Sequence, residues 1–407
     1  MAQPTDTGLR RALLALVAGL ALLAMTPRAS ADECVPAISG LEKFHAAVRD
    51  AGAGKRARPL TVLHLGDSHI SLDGFTRGLR TAWQARFGDA GRGLMPGVPF
   101  RYYAPDGYTL AMSGPWDVFS SLPADASGPF GIQGFRIEAS SREAVITLAS
   151  ETPLTGVEIE AHGGPETGAI LLHLGEAAPL RLQTRQAEPG YIRFRVPAAN
   201  VREVRLSPAG TGPVRLLGWA MLKSAMPGIR YDSHGIVAAT AAVTTRWDAA
   251  IVRAQIAALK PDLVILGYGT NEGFNNGLDM AAYRALVEGL ADQVIQAAPG
   301  ASLALLGPFD GARQGSGEAC ADGWATPPNL EAVRTVLRDV AAERGFIFWD
   351  GGAAMGGRCA ADRWARADPP LMFADRVHLR ASGGELLAAS LHEALMAGAC
   401  HGTDAPC

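Results

Sequence analysis

Short, mostly apolar runs mark both ends of the chain. Leu60–Leu65 lies between Pro59 and Gly66, and the others are Asp262–Tyr268, Ser302–Leu306 and Phe346–Trp349. Runs of this length, the first with a β-branched centre, read as buried strands. Between them the apolar positions change to helical spacing. Thr76–Phe87 carries Leu79, Trp83 and Phe87 and ends at Gly88, and Thr244–Leu259, Met280–Ala298, Asn329–Arg344 and Ser382–Ala397 also read as helices. Buried strands that alternate with helices imply a parallel sheet covered on both faces.

The texture differs from about Pro105 to Lys223. Phe135–Glu138, Val157–Glu160, Tyr191–Val196 and Val201–Leu206 alternate apolar and polar residues, with Gly and Pro between them. Strict alternation predicts half-buried antiparallel strands, and several in succession predict a β-sandwich. The expected organisation is an α/β domain formed by 32–104 and 227–407, with the sandwich of 105–226 inserted between its first and second units. Both joints are expected near the catalytic edge of the sheet, which would set the insertion beside the active-site mouth.

Residues 1–31 read as a signal peptide. Arg10 and Arg11 precede an apolar run from Ala12 to Met25, and Ala29-Ser30-Ala31 forms a small-x-small cleavage site. That run is too short to span a bilayer comfortably. The expected destination is therefore the periplasm or the exterior, with peripheral association to the cell envelope. The five cysteines, Cys34, Cys320, Cys359, Cys400 and Cys407, all follow the cleavage site. An oxidising compartment permits disulfides, and none of the spacings suits zinc. Cys320 with Cys359 is the first pairing expected, because both sit in glycine-rich loops around one helix and strand. A formal net charge of −3 gives no basic excess, so nucleic acid is not an expected partner.

Three polar segments follow strands or precede the last helix: Gly66-Asp67-Ser68-His69, Gly269-Thr270-Asn271-Glu272 and Asp375-Arg376-Val377-His378. In an open parallel sheet, ligands bind beyond the carboxyl ends of the strands. A serine hydroxyl needs a base to become a nucleophile, and His378 can supply one to Ser68. Asp375 can bond the other imidazole nitrogen and fix its tautomer. Asn271 and the Ser68 backbone N–H can donate to an oxyanion. His64 reads as an interior histidine, and His69 as a neighbour of the site without an assigned role. Trp116, Trp219, Trp324 and Trp364 read first as packing residues and second as sugar-stacking platforms.

These segments resemble the conserved blocks of the SGNH (GDSL-like) hydrolase superfamily. Gly66-Asp67-Ser68-His69 is similar to block I, and Asp375-x-x-His378 to block V. Gly269-Thr270-Asn271-Glu272 is similar to block III, with Glu272 where Asp is usual. The resemblance implies a flavodoxin-like three-layer α/β/α fold, with Ser68 as nucleophile, His378 as base, Asp375 as its orienter and Asn271 as oxyanion donor. Gly235-Ile236-Val237-Ala238-Ala239-Thr240 is similar to block II, with Ala238 where a second glycine usually stands. Either Ala238 or Gly235 would give the further backbone donor. Phe87-Gly88-Asp89-Ala90-Gly91-Arg92-Gly93-Leu94, the β-rich insertion, and Met355-Gly356-Gly357 followed by Trp364 resemble Ape1-type peptidoglycan O-acetylesterases. In those enzymes the insertion is carbohydrate-binding-module-like.

The implied activity is a serine carbohydrate O-acetylesterase acting on an acetylated polysaccharide through an acyl-Ser68 intermediate, with no metal or organic cofactor. Peptidoglycan is the favoured substrate and another acetylated glycan the near alternative. The same acyl-enzyme could pass acetyl to a sugar hydroxyl as an O-acetyltransferase. From a different class, an inactive carbohydrate-binding envelope protein would also fit the architecture, although the intact Ser68, Asn271, Asp375 and His378 argue against it.

Overall fold

The structure is a computed structural model of the 407-residue chain and describes residues 39–99, 105–223, 228–315 and 317–399. The signal peptide, Cys34, Tyr102-Tyr103, Pro227, Cys400 and Cys407 lie outside the described residues.

Five parallel strands form the central sheet. From edge to edge they are Ile229–Gly235, Leu60–Gly66, Leu263–Gly267, Ser302–Gly307 and Ile347–Asp350. In chain order this is 2-1-3-4-5, the flavodoxin-like arrangement. Successive side chains along a strand face opposite ways, so both faces are apolar. On one face Leu60, Val62, Leu263 and Ile265 pack with Phe44, Leu79, Trp83, Leu387 and Leu391, from helices Glu42–Gly52, Asp73–Phe87 and Ala381–Met396. On the other, Leu63, Leu65, Val264 and Leu266 pack with Ile256, Val287, Leu290, Val333 and Leu337, from Ala249–Leu259, Met280–Ala297 and Leu330–Arg344. The domain is thus a three-layer α/β/α stack.

The edge strand Ile229–Gly235 breaks the apolar rule. Arg230 and Asp232 are buried in it, yet paired. Arg230 bonds Glu158 of the insertion at 2.6 Å, and Asp232 accepts from the Leu94 amide at 2.6 Å. A buried charge persists only with such partners. His64 is an interior histidine as expected. Its Nδ1 lies 2.6 Å from the Tyr231 hydroxyl, and burial pushes its pKa down to about 3. Helix Ala249–Leu259 is shorter than the sequence suggests. Asp248 caps it by accepting from the Ala250 and Ile251 amides, and Ala241–Arg246 before it is a separate 3₁₀ turn.

The insertion is nine strands in one hydrogen-bonded antiparallel sheet. Its two longest strands, Val145–Gly163 and Gly190–Pro208, pair along their length with irregular register between Ala149 and Gly156. Residues on either side of that break, such as Leu148 and Ile159, share one apolar core. The long strands thus link all these strands by hydrogen bonds into one sheet, whose two arms contribute to one core.

The boundary also moves. Gly93–Met95 already pairs with Val214–Leu222, so the inserted sheet begins before residue 105. The joints correct a further expectation. Ile229 pairs with Leu60 at the amino end of the sheet, and the Ile229 amide donates to the Gly88 carbonyl at 2.9 Å. Because Ile229–Gly235 runs parallel to Leu60–Gly66, the insertion leaves and re-enters at the end of the sheet opposite the catalytic edge. It still reaches that edge, through 121–134. Ser121 accepts from Arg246 Nε at 2.5 Å on its carbonyl and from Trp247 Nε1 at 3.3 Å on its hydroxyl, and the Asp248 amide donates to the Phe130 carbonyl at 2.9 Å.

Cys320 and Cys359 form a disulfide, the pairing expected first.

Candidate active site

Three strands end in glycine at one level. Gly66 is in register with Gly235 on one side and Gly267 on the other. The chain turns sharply there. A Cβ on Gly235 would lie 2.1 Å from the Ser71 nitrogen and 2.3 Å from the Asp67 oxygen, so only glycine lets the nucleophile turn settle on the strand ends. Asp67 caps that turn, Ser68–Ser71, by accepting the His69 amide on Oδ1 at 3.0 Å.

Ser68 Oγ lies 3.1 Å from His378 Nε2, and His378 Nδ1 lies 2.8 Å from Asp375 Oδ2. Asp375 Oδ1 accepts the Val377 and His378 amides at 3.0 Å each, so one loop fixes both partners. Burial works against the charge on Asp375, but the His378 ring and these amides outweigh it and hold the carboxyl below its usual range. Arg376 sits between them at a φ of 54°, and its guanidinium lies 4.1 Å over the Trp324 ring. The three triad residues chosen from sequence are thus hydrogen-bonded in order at the carboxyl ends of the strands.

The other expected donors gather nearby. Asn271, in the short helix Thr270–Gly273, donates through Nδ2 to the Ala239 carbonyl at 2.8 Å. Ala238 is exposed at a φ of 64°, a left-handed conformation that glycine adopts more readily. Among the described residues, neither the Ala238 nor the Ser68 backbone N–H has a protein acceptor. Gly235 instead ends a strand beneath the turn. Glu272 is buried, and its Oε1 accepts the Ala241 amide at 2.6 Å. Burial pushes its carboxyl up to about 7.

The tryptophans mostly pack. Trp219 is buried in the insertion core, Trp116 and Trp364 lie against apolar clusters, and Arg376 covers Trp324. Among the described residues, the exposed aromatics are instead Phe119 in the insertion and Phe373, whose amide donates to the His378 carbonyl at 2.9 Å. Sequence spacing could not find them, because exposure depends on what the fold leaves uncovered. Among the described residues, no group of three or more His, Cys, Asp or Glu could hold a metal ion.

Residues 209–386 match the model of the GDSL-like Lipase/Acylhydrolase family. A solved structure of a peptidoglycan O-acetylesterase superposes with a TM-score of 0.73 at 22% identity, covering 87% of this chain and 95% of that one. A family two carbohydrate esterase from Clostridium thermocellum covers 70% of this chain and 98% of its own at 11% identity, but its TM-score of 0.30 carries no argument. Among curated proteins, none matches this chain by sequence. The matched segment holds Asn271, Asp375 and His378, and the fold shared with the peptidoglycan O-acetylesterase structure also includes the first strand, which leads into Ser68, so the α/β domain of this chain is similar to GDSL-like hydrolases.

Proposed function

We propose that the protein is an exported serine esterase that removes O-acetyl groups from a carbohydrate, with peptidoglycan as the favoured substrate. The observation that carries this reading is the continuous chain Ser68–His378–Asp375 at the catalytic edge of the sheet. The fold likeness to a peptidoglycan O-acetylesterase, which extends over the insertion as well, supports the choice of substrate. The apolar run before Ala29-Ser30-Ala31 supports export.

In this mechanism Ser68 Oγ attacks the acetyl carbonyl while His378 Nε2 takes its proton. Asp375 holds the Nδ1 proton and stabilises the imidazolium. The tetrahedral oxyanion is met by the Ser68 and Ala238 amides and by the second Nδ2 hydrogen of Asn271. Ala238 is the better placed of the two block II residues because it is exposed and its N–H has no protein acceptor among the described residues. His378 then gives its proton to the sugar oxygen, which leaves as the alcohol. Water, deprotonated by His378, releases acetate from Ser68.

The test is acetate release from O-acetylated peptidoglycan and acetylated xylan, side by side, with Ser68→Ala as control. Release from peptidoglycan that requires Ser68 supports the proposal. Release from xylan alone would move the substrate to another glycan. Binding without release from either, and no hydrolysis of p-nitrophenyl acetate, would leave a carbohydrate-binding protein.

A further inference from the structure

His69 follows the nucleophile, and its ring is buried between the two segments that carry the triad. Its Nε2 lies 2.9 Å from the Val377 carbonyl oxygen, and its Nδ1 lies 3.3 Å from Asp67 Oδ1. A carbonyl and a carboxylate only accept, whereas a neutral imidazole has a single N–H to give. Both contacts are satisfied together only when both ring nitrogens carry hydrogen. The Thr270 hydroxyl, 3.5 Å from Nδ1, sits at the limit of hydrogen bonding and leaves Asp67 the nearer partner.

We propose that His69 is a buried imidazolium that positions the catalytic base, clamping the backbone of the His378 loop to the turn that carries Ser68. The inference rests on the triad reading above and extends it.

The placement gives the clamp its purpose. Ser68 and His378 are 310 residues apart in sequence and meet through one 3.1 Å contact. Val377 immediately precedes His378, so a bond to its carbonyl fixes the peptide from which the base projects. The two imidazole rings are 5.7 Å apart between centroids, and Phe309 meets the His69 ring edge-on at 5.0 Å. The titratable groups facing His69 are Asp67 from its own turn and Asp375 and His378 from the loop, while Thr270 and Phe309 bring no charge. Burial alone would lower the His69 pKa, but Asp67, the Val377 carbonyl and Asp375 outweigh it and raise it. Asp67 responds in the opposite sense. Burial favours its neutral form, yet its bonds with His69 hold it below the usual range. A His69 ring that donates from both nitrogens has no lone pair with which to take a proton, so it does not compete with His378 for that of Ser68.

Two measurements on the full-length mature protein test the clamp. Imidazole ¹⁵N spectra of the wild type, assigned with His69→Asn, should show both His69 nitrogens protonated from about pH 6 to 8, where an ordinary histidine loses its charge. A single neutral tautomer in that range would overturn the proposal. In the second, His69→Asn is too short to reach Val377, whereas the amide of His69→Gln can reach it. With p-nitrophenyl acetate, His69→Asn should lose roughly ten- to a hundredfold in kcat at little change in KM. His69→Gln should recover most of that loss at equal thermal stability. Wild-type kcat in a folded His69→Asn, or equal losses in both variants, would also overturn it. The spectra do not depend on which ester the protein cleaves, so failure of the clamp is distinguishable from failure of the proposed function.

Discussion

The Asn271 side chain donates to the Ala239 carbonyl at 2.8 Å and so ties the loop after the third strand of the sheet to the loop after its edge strand. Glu272 adds a second tie through the Ala241 amide. Ala238, whose N–H has no protein acceptor among the described residues, lies in the loop after the edge strand. Its left-handed backbone costs an alanine on the order of 1 kcal/mol, which glycine would not incur. Ala238→Gly should therefore leave stability unchanged or raise it by up to about 1 kcal/mol, with kcat within roughly twofold, because the N–H remains. Thermal midpoints and p-nitrophenyl acetate turnover check both. A large fall in kcat at unchanged stability would mean that the alanine methyl group itself holds the loop.

Asn271→Ala should lower kcat by about two to three orders of magnitude with little change in KM. As the proposed oxyanion donor, its amide would meet charge that develops mainly in the transition state, while its other hydrogen bonds the Ala239 carbonyl in the loop that bears Ala238. A change confined to KM would make Asn271 a ground-state binding residue instead.

Ser68→Ala should abolish acetate release with the fold intact. Asp375→Asn should reduce kcat by about 10⁴, since an amide cannot hold the Nδ1 proton and stabilise the imidazolium as a carboxylate does. Circular dichroism confirms folding, and steady-state rates decide the roles. Near wild-type turnover in Asp375→Asn would leave it a loop-forming residue only.

The legible parts of the chain were those where one signal decided the structure. Leu60–Leu65 and Ser302–Leu306 are mostly apolar because helices cover both faces, and they emerge as strands with nearly those bounds. The triad was legible because a short Asp-x-x-His loop brings its own two members together. The strand Ile229–Gly235 was hidden, because Arg230, Asp232 and His234 look like surface positions until their burial beside the insertion is known. Helix Glu42–Gly52 lacks a side-chain cap, and its evidence is the spacing of Phe44, Ala47, Val48 and Ala51. The joints of the insertion were misplaced for the same reason as the hidden strand. Without it, nothing shows that the chain re-enters at the amino end of the sheet. His69 illustrates a further limit, since its neighbour Val377 lies 308 residues away and contributes only a backbone carbonyl.

Glu272 gives the stability a specific pH dependence. Its carboxyl titrates at about 7 in the folded protein against an ordinary value of 4.5, because burial disfavours the charge. Between those values the folded chain holds a proton that the unfolded chain has released. Stability should therefore be fullest below about pH 4.5, fall as pH rises towards 7 by on the order of 3 kcal/mol, and then level. Other groups act the opposite way. His64, with a pKa near 3, contributes stability that is lost as the pH falls from 6.5. The comparison must therefore be between wild type and Glu272→Gln, which cannot ionise. Urea midpoints across this range should show the wild type losing stability relative to the variant as pH rises. Parallel curves would place no titration at Glu272.

The insertion should matter for polymers and not for small esters. It joins the α/β domain far from the carboxyl ends of the strands, but 121–134 carries it back to the loop that bears Ala238. Ser121 is bonded to Arg246 and Trp247, and Gly134 packs directly against Ile236. Immediately before Ser121 runs Asp117–Ser120, a strand at the end of the inserted sheet. Val118 and Phe119 on that strand, and Leu122 just after it, are exposed. The Arg136 guanidinium lies 4.4 Å over the Phe119 ring and covers one face of it. An aromatic ring backed in this way can pack its other face on the apolar face of a sugar. A glycan held there would add remote binding energy to the chemical step, which a small ester cannot use. Phe119→Ala, on the surface and away from the triad, should raise KM for acetylated polysaccharide by about tenfold, the equivalent of roughly 1.4 kcal/mol, and leave p-nitrophenyl acetate turnover unchanged. Equal losses on both substrates, or none on either, would make this strand structural and remove the insertion from substrate binding.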